Sequence, residues 1–221
     1  VNAELLIDHA WGYETTTIKD IKSYKPENNS ISNGQVLHCP YDYKKARLIV
    51  SEMIDSLALE LTEKEKMTNS IVLMIGYEID NTFSYDGDIV TDYYGRRVPK
   101  PAHGHKTLDY STSSSKILTS KCLELYDEII NKNLLVRRIN ICACNVIDEK
   151  DAKKEVNFSQ LDLFSDNNKV LEEKKEDKIK QNDEIKLQKT VTRLKNKYGK
   201  NIILKAMSLE EGATMKERNM Q

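Results

Sequence analysis

The chain has 221 residues, 31% of them charged, and a mean hydropathy of -0.60. These values favour one folded domain of about 100 to 150 residues with polar appendages over a single large core. The 34 basic residues nearly balance the 35 acidic ones, so net charge alone predicts no nucleic-acid partner. No stretch approaches the roughly 18 apolar residues of a membrane span, and no signal-peptide pattern opens the chain, which predicts a cytoplasmic protein.

The first 21 residues predict the end of a helix, because Leu5, Leu6, His9 and Ala10 recur at helical spacing. The chain begins with Val1 and this helix has no partner of its own, so we expect it to end a preceding domain of a longer chain. Residues 22–29 follow as a polar linker whose Pro and Asn residues suit an extended conformation.

Between residues 30 and 150 the hydrophobic pattern switches between the periods of strand and helix in a definite order. It predicts strands at 30–39, 70–79, 106–110 and 134–147, a loop or hairpin tip at 82–95, and amphipathic helices at 43–65 and from Ser113 or Ser114 onward. The order β-α-β-β-α-β is the split βαβ arrangement. It predicts an α+β fold in which a four-stranded sheet carries two helices on one face.

Such a sheet leaves its other face open to a partner, and basic and hydroxyl residues gather near the predicted strand ends and one helix start. Groups of this kind hold phosphates but carry no base code, so binding would follow backbone shape and weaken with salt. Ordinary solvated surface is an equal alternative. The candidate DNA-binding residues are Lys25, Ser30, Ser32, Arg96, Arg97, Lys100, Lys106, Ser113, Ser114, Lys116, Arg137 and Arg138. Arg137 and Arg138 are adjacent, so in a strand only one of them can point to the partner.

No catalytic constellation stands out. His103 and His105 are the best metal candidates, but no carboxylate or thiolate completes a site at their spacing, so we expect a loop histidine pair without metal. A metal-dependent hydrolase that uses this pair is a further alternative and would need bound metal. The cysteines show no C-x-x-C pair, and we expect buried reduced thiols at Cys39, Cys122, Cys142 and Cys144.

Residues 151–169 carry the apolar pentapeptide Gln160-Leu161-Asp162-Leu163-Phe164 within a polar stretch. It has nothing nearby to pack on, which predicts that it fills a pocket of another protein. Its Leu and Phe side chains would bury apolar surface worth about 1.5 to 3 kcal/mol each before ordering costs.

Residues 170–221 form a charge-dense tail. The 4-3-4 spacing of Leu187, Val191, Leu194 and Tyr198 predicts an amphipathic helix on a flexible link, with disorder as the alternative. The tail is a candidate binding segment for an accessory or regulatory subunit.

The stretch from Tyr24 to Gln35, the β-α-β-β-α-β order and the pentapeptide together resemble the C-terminal part of a Y-family translesion DNA polymerase. The most similar branch is the UmuC-like (ImpB/MucB/SamB) group of Gram-positive bacteria. The resemblance implies a thumb end at 1–21, a little-finger domain at 30–150 that grips DNA backbone in the major groove, and a sliding-clamp-binding motif at Gln160, Leu161, Asp162, Leu163 and Phe164.

The resemblance also implies that the catalytic palm carboxylates lie upstream, that magnesium serves the parent polymerase, and that this region holds no catalytic residue, metal or cofactor. Its expected partners are primer-template DNA and a sliding clamp, in an SOS-type DNA repair response of the bacterial cytoplasm at the nucleoid. A regulatory protein-interaction domain without DNA binding is the alternative.

Overall fold

A computed structural model describes residues 3–14, 16–24, 29–80, 85–92, 95–155 and 167–220. Two short helices come first, α1 (Ala3–Ala10) and α2 (Ile18–Ser23). A capping box starts α2: the Thr17 hydroxyl accepts from the Asp20 N–H, and the Asp20 carboxylate accepts from the Thr17 N–H. The described side chains of both helices are exposed, so these helices add nothing to the core.

The centre of the fold is an antiparallel sheet. In chain order the strands and their helices are β1 (Ile31–Tyr41), α3 (Tyr43–Glu63), β2 (Lys66–Tyr77), the separate hairpin of β3 (Ile89–Thr91) and β4 (Arg97–Pro99), β5 (Ala102–Thr112), α4 (Ser115–Ile129), β6 (Val136–Cys144) and the short β7 (Ile147–Asp148). The sheet order is β1-β6-β2-β5, and β7 pairs with one end of β2. The predicted α+β fold and its element order are confirmed.

Two split βαβ units interlock in this sheet. Since β6 pairs antiparallel with both β1 and β2, those two strands run parallel with β6 between them. In the same way β5 and β6 run parallel with β2 between them. Each parallel pair is joined by one helix, α3 for the first and α4 for the second, and both helices pack on one face of the sheet.

The core lies between that face and the two helices. Alternation in each strand points one set of aliphatic side chains towards the helices, and the helices return apolar residues at i, i+3 and i+4. Asp42 starts α3 and Ser114 starts α4, each by accepting a backbone N–H three residues on. The fully buried side chains include Leu37, Ile49, Met53, Ile54, Leu57, Ile71, Leu73, Ile75, Leu118 and Ile139.

The last part of the chain forms α5 (Glu149–Glu155), α6 (Asn167–Tyr198), a 3-10 helix (Ala206–Leu209) and α7 (Met215–Arg218). Residues 183–220, which we name the C-terminal segment, pack on the side of α3 that faces away from the sheet. A tail on a flexible link was predicted, and the observed packing differs because two carboxylates of α3, Glu52 and Asp55, hold this segment.

The Glu52 side chain is 0% exposed, and its Oε2 accepts from the backbone N–H groups of Thr214 (2.8 Å) and Met215 (3.1 Å). Asp55 accepts from Lys205 Nζ at 2.6 Å and also from the Ser115 hydroxyl. Both carboxylates thus bind donors from distant parts of the chain.

The packed side of α6 is not the predicted apolar stripe. Leu187 is 63% exposed, and Leu194 and Tyr198 are also exposed, whereas Gln188 and Thr192 are buried against the domain. Polar residues therefore contribute to the docking contact of this helix, beside the half-buried Ile185 and Val191. Within the described part of the chain, no helix is long and apolar enough to cross a membrane.

Candidate functional site

The sheet face opposite the helices is the candidate site, and we name it the open face. In β6, Ile139 and Ile141 point to the core, so Arg138, Asn140 and Cys142 point away from it. The register then identifies their neighbours on the other strands. The open face consists of Ser32, Gly34, Val36, Ser70, Val72, Met74, Gly76, His103, His105, Thr107, Arg138, Asn140, Cys142 and Cys144.

Two glycines let long side chains lie flat on this face. A Cβ at Gly76 would stand 3.2 Å from the Cβ of Arg138, whose side chain crosses that position. A Cβ at Gly34 would collide with the Asn140 side chain. Any larger residue at either position would displace Arg138 or Asn140, so the glycines and the two polar side chains form one arrangement.

The structure separates the two adjacent arginines. Arg138 is exposed on the open face, and none of the described carboxylates lies within ion-pair distance of it. Arg137 lies where the β2–β6 register shifts, and its Nε is 3.4 Å from a carboxylate oxygen of Glu78. Arg138 is therefore the arginine that a partner on the open face would meet.

Few of the other candidate DNA-binding residues lie on the open face with Arg138. Ser32 lies on the open face of β1, and Ser30 immediately precedes that strand. Arg96, Arg97 and Lys100 belong to the β3–β4 hairpin region, where Arg96 pairs with Asp92 at 2.7 Å and Lys100 with Asp88 at 3.2 Å. Lys25 lies outside the described residues.

Lys106 points to the helix side of β5. Its Nζ is 2.8 Å from Glu128 and 3.2 Å from Glu124, both on α4, and the hydrogen bond to Glu128 raises the pKa of Lys106. A sequence pattern gives the charge of such a residue but not its partners, and here both partners belong to the same domain.

The start of α4, where the sequence predicts an anion, is filled by a carboxylate of the chain itself. Glu184 of the C-terminal segment accepts from the Ser114 hydroxyl at 2.5 Å and from the Lys116 N–H at 2.9 Å. Ser113 is buried beside it, and its carbonyl accepts from Gln188 Nε2 at 3.0 Å. Ser113 and Ser114 therefore have no room for a phosphate while the C-terminal segment is docked.

His103 and His105 lie in β5 rather than in the predicted loop, because they continue the ladder with Met74 and Val72 of β2. Both are exposed on the open face. Among the described residues, no three His, Cys, Asp or Glu side chains come together as a metal site.

Only part of the cysteine prediction holds. Cys122 is buried, and burial raises the pKa of its thiol to about 12. Cys39, Cys142 and Cys144 are partly exposed. All four are free thiols.

The sequence of the chain matches the model of the impB/mucB/samB family C-terminal domain over residues 28–163, which is more than half of its length. The chain belongs to the impB/mucB/samB family. This match confirms the resemblance found in the sequence. A search of curated proteins returns no match.

Three solved structures show how far the likeness of this impB/mucB/samB chain extends. A Y-family DNA polymerase chimera of Dbh and Dpo4 is 16% identical, with a TM-score of 0.37, over 66% of this chain and 35% of that chain. A post-insertion binary complex of Dbh DNA polymerase is 15% identical, with a TM-score of 0.36, over 66% of this chain and 36% of that chain. A complex of a β-clamp processivity factor and the little finger domain of PolIV is 8% identical, with a TM-score of 0.36, over 62% of this chain and 100% of that chain. The chain spans about a third of the length of the first two.

The impB/mucB/samB match includes the whole open face and both packing helices, and it ends at residue 163. The C-terminal segment lies beyond it. The pentapeptide from Gln160 to Phe164 coincides with the end of the match and lies outside the described residues.

Proposed function

We propose that this chain is the DNA-binding little-finger region of an error-prone lesion-bypass DNA polymerase, and that its open face grips the DNA backbone. The observation that carries the proposal is Arg138, an exposed arginine that lies across Gly76 and faces away from the core. Family membership adds to it, because the impB/mucB/samB proteins resemble the Y-family translesion polymerases.

The chemistry of the open face suits phosphates. Its polar residues are hydroxyl, imidazole, amide, thiol and guanidinium groups, and none of the residues that the register assigns to it is acidic; Asp109, exposed further along β5, lies outside the paired positions. Hydroxyl, amide and guanidinium groups donate hydrogen bonds to phosphate oxygens, and such contacts position a duplex without reading its sequence. We therefore expect binding that is independent of base sequence and weakens with salt.

The test is binding of the full 221-residue chain to fluorescent primer-template duplexes of several sequences, measured by anisotropy over a range of salt concentrations. We expect similar affinities for all sequences and a linear fall of log K with log salt. Arg138→Ala should reduce the slope by about 0.9, the share of one phosphate contact. Arg137→Ala is the matched control, since Arg137 is held by Glu78, and it should leave the slope nearly unchanged.

Absence of binding at low salt would refute the proposal and favour the regulatory protein-interaction domain instead. Equal effects of the two arginine substitutions on the salt slope would show that Arg138 has no special role in DNA binding.

We propose further that the pentapeptide tethers the polymerase to a sliding clamp. Gln160 would hydrogen-bond at the rim of a clamp pocket while Leu163 and Phe164 fill it. A weak peptide contact and a weak phosphate contact on one chain raise the effective concentration of each for its partner.

Replacing Leu163 and Phe164 with Ala should abolish clamp binding, as surface plasmon resonance with immobilised clamp would measure, and should leave DNA affinity unchanged. Unchanged clamp affinity would refute the tether.

Nucleotidyl transfer itself would belong to a longer chain, where we propose that palm carboxylates and magnesium carry it out. The setting we propose is an SOS-type damage response at the bacterial nucleoid.

A further inference from the structure

Cys142 and Cys144 form a pair of thiols on the open face. They are two residues apart in β6 and their sulfur atoms are 3.6 Å from each other. Both side chains are partly exposed. Neither the proposed DNA contacts nor the core makes use of this pair.

The backbone holds the two thiols in place. β6 is an interior strand, paired with β1 on one side and β2 on the other. Cys142 pairs with Ser32 and with Val72, and Cys144 pairs with Ser70. Because both ladders fix the strand, the two side chains leave the backbone on the same face and two residues apart before anything binds to them.

The distance between the sulfurs suits a single thiophilic centre. A pyramidal three-coordinate centre with bonds of about 2.3 Å to sulfur and an angle of about 100° between them holds two sulfurs about 3.5 Å apart, close to the spacing found here. No third His, Cys, Asp or Glu ligand joins the pair among the described residues. The pair therefore fits a centre that needs only two protein sulfurs and brings its own third substituent.

The raised pKa of Cys142 favours reagents that use both thiols. Burial and the hydrogen bond with Cys144 raise the pKa of the Cys142 thiol to about 11, so little thiolate exists near neutral pH. An alkylating agent attacks one thiolate at a time and is therefore slow at Cys142. A reagent that binds both sulfurs gains from the high effective concentration of the second thiol once the first bond has formed.

We propose that Cys142 and Cys144 form a dithiol site that captures a trivalent arsenical, R–As(OH)2, as a cyclic dithioarsonite. Two As–S bonds form and two As–O bonds break. The two thiol protons leave with the two hydroxide groups as two water molecules, and arsenic stays trivalent. The organic group R occupies the third position, for which the protein supplies no ligand.

The adduct would stand on the open face, two strands from His105 and one strand from Ser32. If the proposed function holds, a bulky arsenical at this point obstructs DNA. This last consequence rests on the proposed function, whereas the capture itself does not.

The test uses phenylarsine oxide, which hydrates to the required dihydroxy form, with the full chain. Intact mass spectrometry should show one phenylarsenic group per chain, and proteolytic mapping should place it on the peptide that contains both thiols. Cys142→Ser and Cys144→Ser should each weaken capture by at least about 100-fold, because one thiol loses the advantage of the second. Cys39→Ser and Cys122→Ser are the matched controls and should capture it normally. An excess of a 1,2-dithiol should remove the group, and the same concentration of a monothiol should not.

Several results would overturn the site: an adduct mapped to Cys39 or Cys122, equal capture by the Cys142→Ser variant, or no adduct on the unmodified chain. The adduct is mapped on the protein without substitutions, so the mapping decides the matter even if a serine variant fails to fold. DNA binding by the arsenical adduct is a separate measurement. Capture with unchanged DNA affinity would keep the dithiol site and remove the DNA contact from this part of the open face.

Discussion

The two outer surfaces of the domain differ in what covers them. The open face of the sheet is left bare, with Val36 59% exposed and Arg138 without a described carboxylate near it. The outer side of α3 is covered by the C-terminal segment, which buries Glu52 and Asp55. Donors from the chain itself already occupy Asp55 and one oxygen of Glu52, so the comparison favours the open face as the surface for the proposed partner.

The covered side is held by polar contacts rather than by apolar area alone. A buried carboxylate is costly unless donors surround it, and the backbone N–H groups of Thr214 and Met215 supply two of them to Glu52. Arg218 is half-buried nearby, where burial lowers its pKa and the charge of Glu52 opposes that shift. Contacts of this kind fix one position of the segment, because a small displacement would leave the carboxylate unpaired.

The largest expected effect compares the two faces of the sheet. Ile141 is 0% exposed on the helix side of β6, so Ile141→Ala should lower the free energy of unfolding by about 2 to 5 kcal/mol. Val36→Ala, on the open face, should change it by less than about 0.5 kcal/mol. Urea denaturation followed by circular dichroism measures both. Comparable losses in the two variants would mean that the open face is covered in solution.

The next effect concerns the covered side of α3. Glu52→Ala leaves two backbone N–H groups without their acceptor and should cost about 1 to 3 kcal/mol. Hydrogen exchange in residues 206–218 should then be faster than in the protein without the substitution, and the sheet should change less. Glu60→Ala on the same helix removes only an i,i+4 pair with Lys64 and should cost about 0.3 to 0.5 kcal/mol. Unchanged protection of residues 206–218 in the Glu52 variant would show that the carboxylate does not hold the segment.

The sheet and its two helices could be predicted because their residues alternate with clear strand and helix periods. The start of β5 could not, since Pro99, Pro101 and Gly104 are turn formers that favour a loop there. Pairing of His103 and His105 with β2 overrides that local preference.

The docking of the C-terminal segment was hidden for a different reason. Hydrophobic periodicity identifies apolar contacts, whereas the most buried residues of α6 are the polar Gln188 and Thr192. The partners of Glu184 at the start of α4 are about seventy residues away in sequence, so no local pattern connects them. The one local signal was the position of Glu52 and Asp55, three residues apart, on a helix that is otherwise apolar on several sides.

The smallest expected effect tests whether the two faces of the sheet differ in function. Lys106 has the charge of a DNA contact, but it lies on the helix side of β5 with Glu124 and Glu128. We therefore expect Lys106→Ala to change DNA affinity by less than about twofold and to leave the salt slope unchanged, whereas Arg138→Ala reduces that slope. Anisotropy titrations of both variants at matched salt concentrations measure the difference. Because both residues are basic and lie in strands of one sheet, equal losses would mean that net charge rather than the open face governs binding.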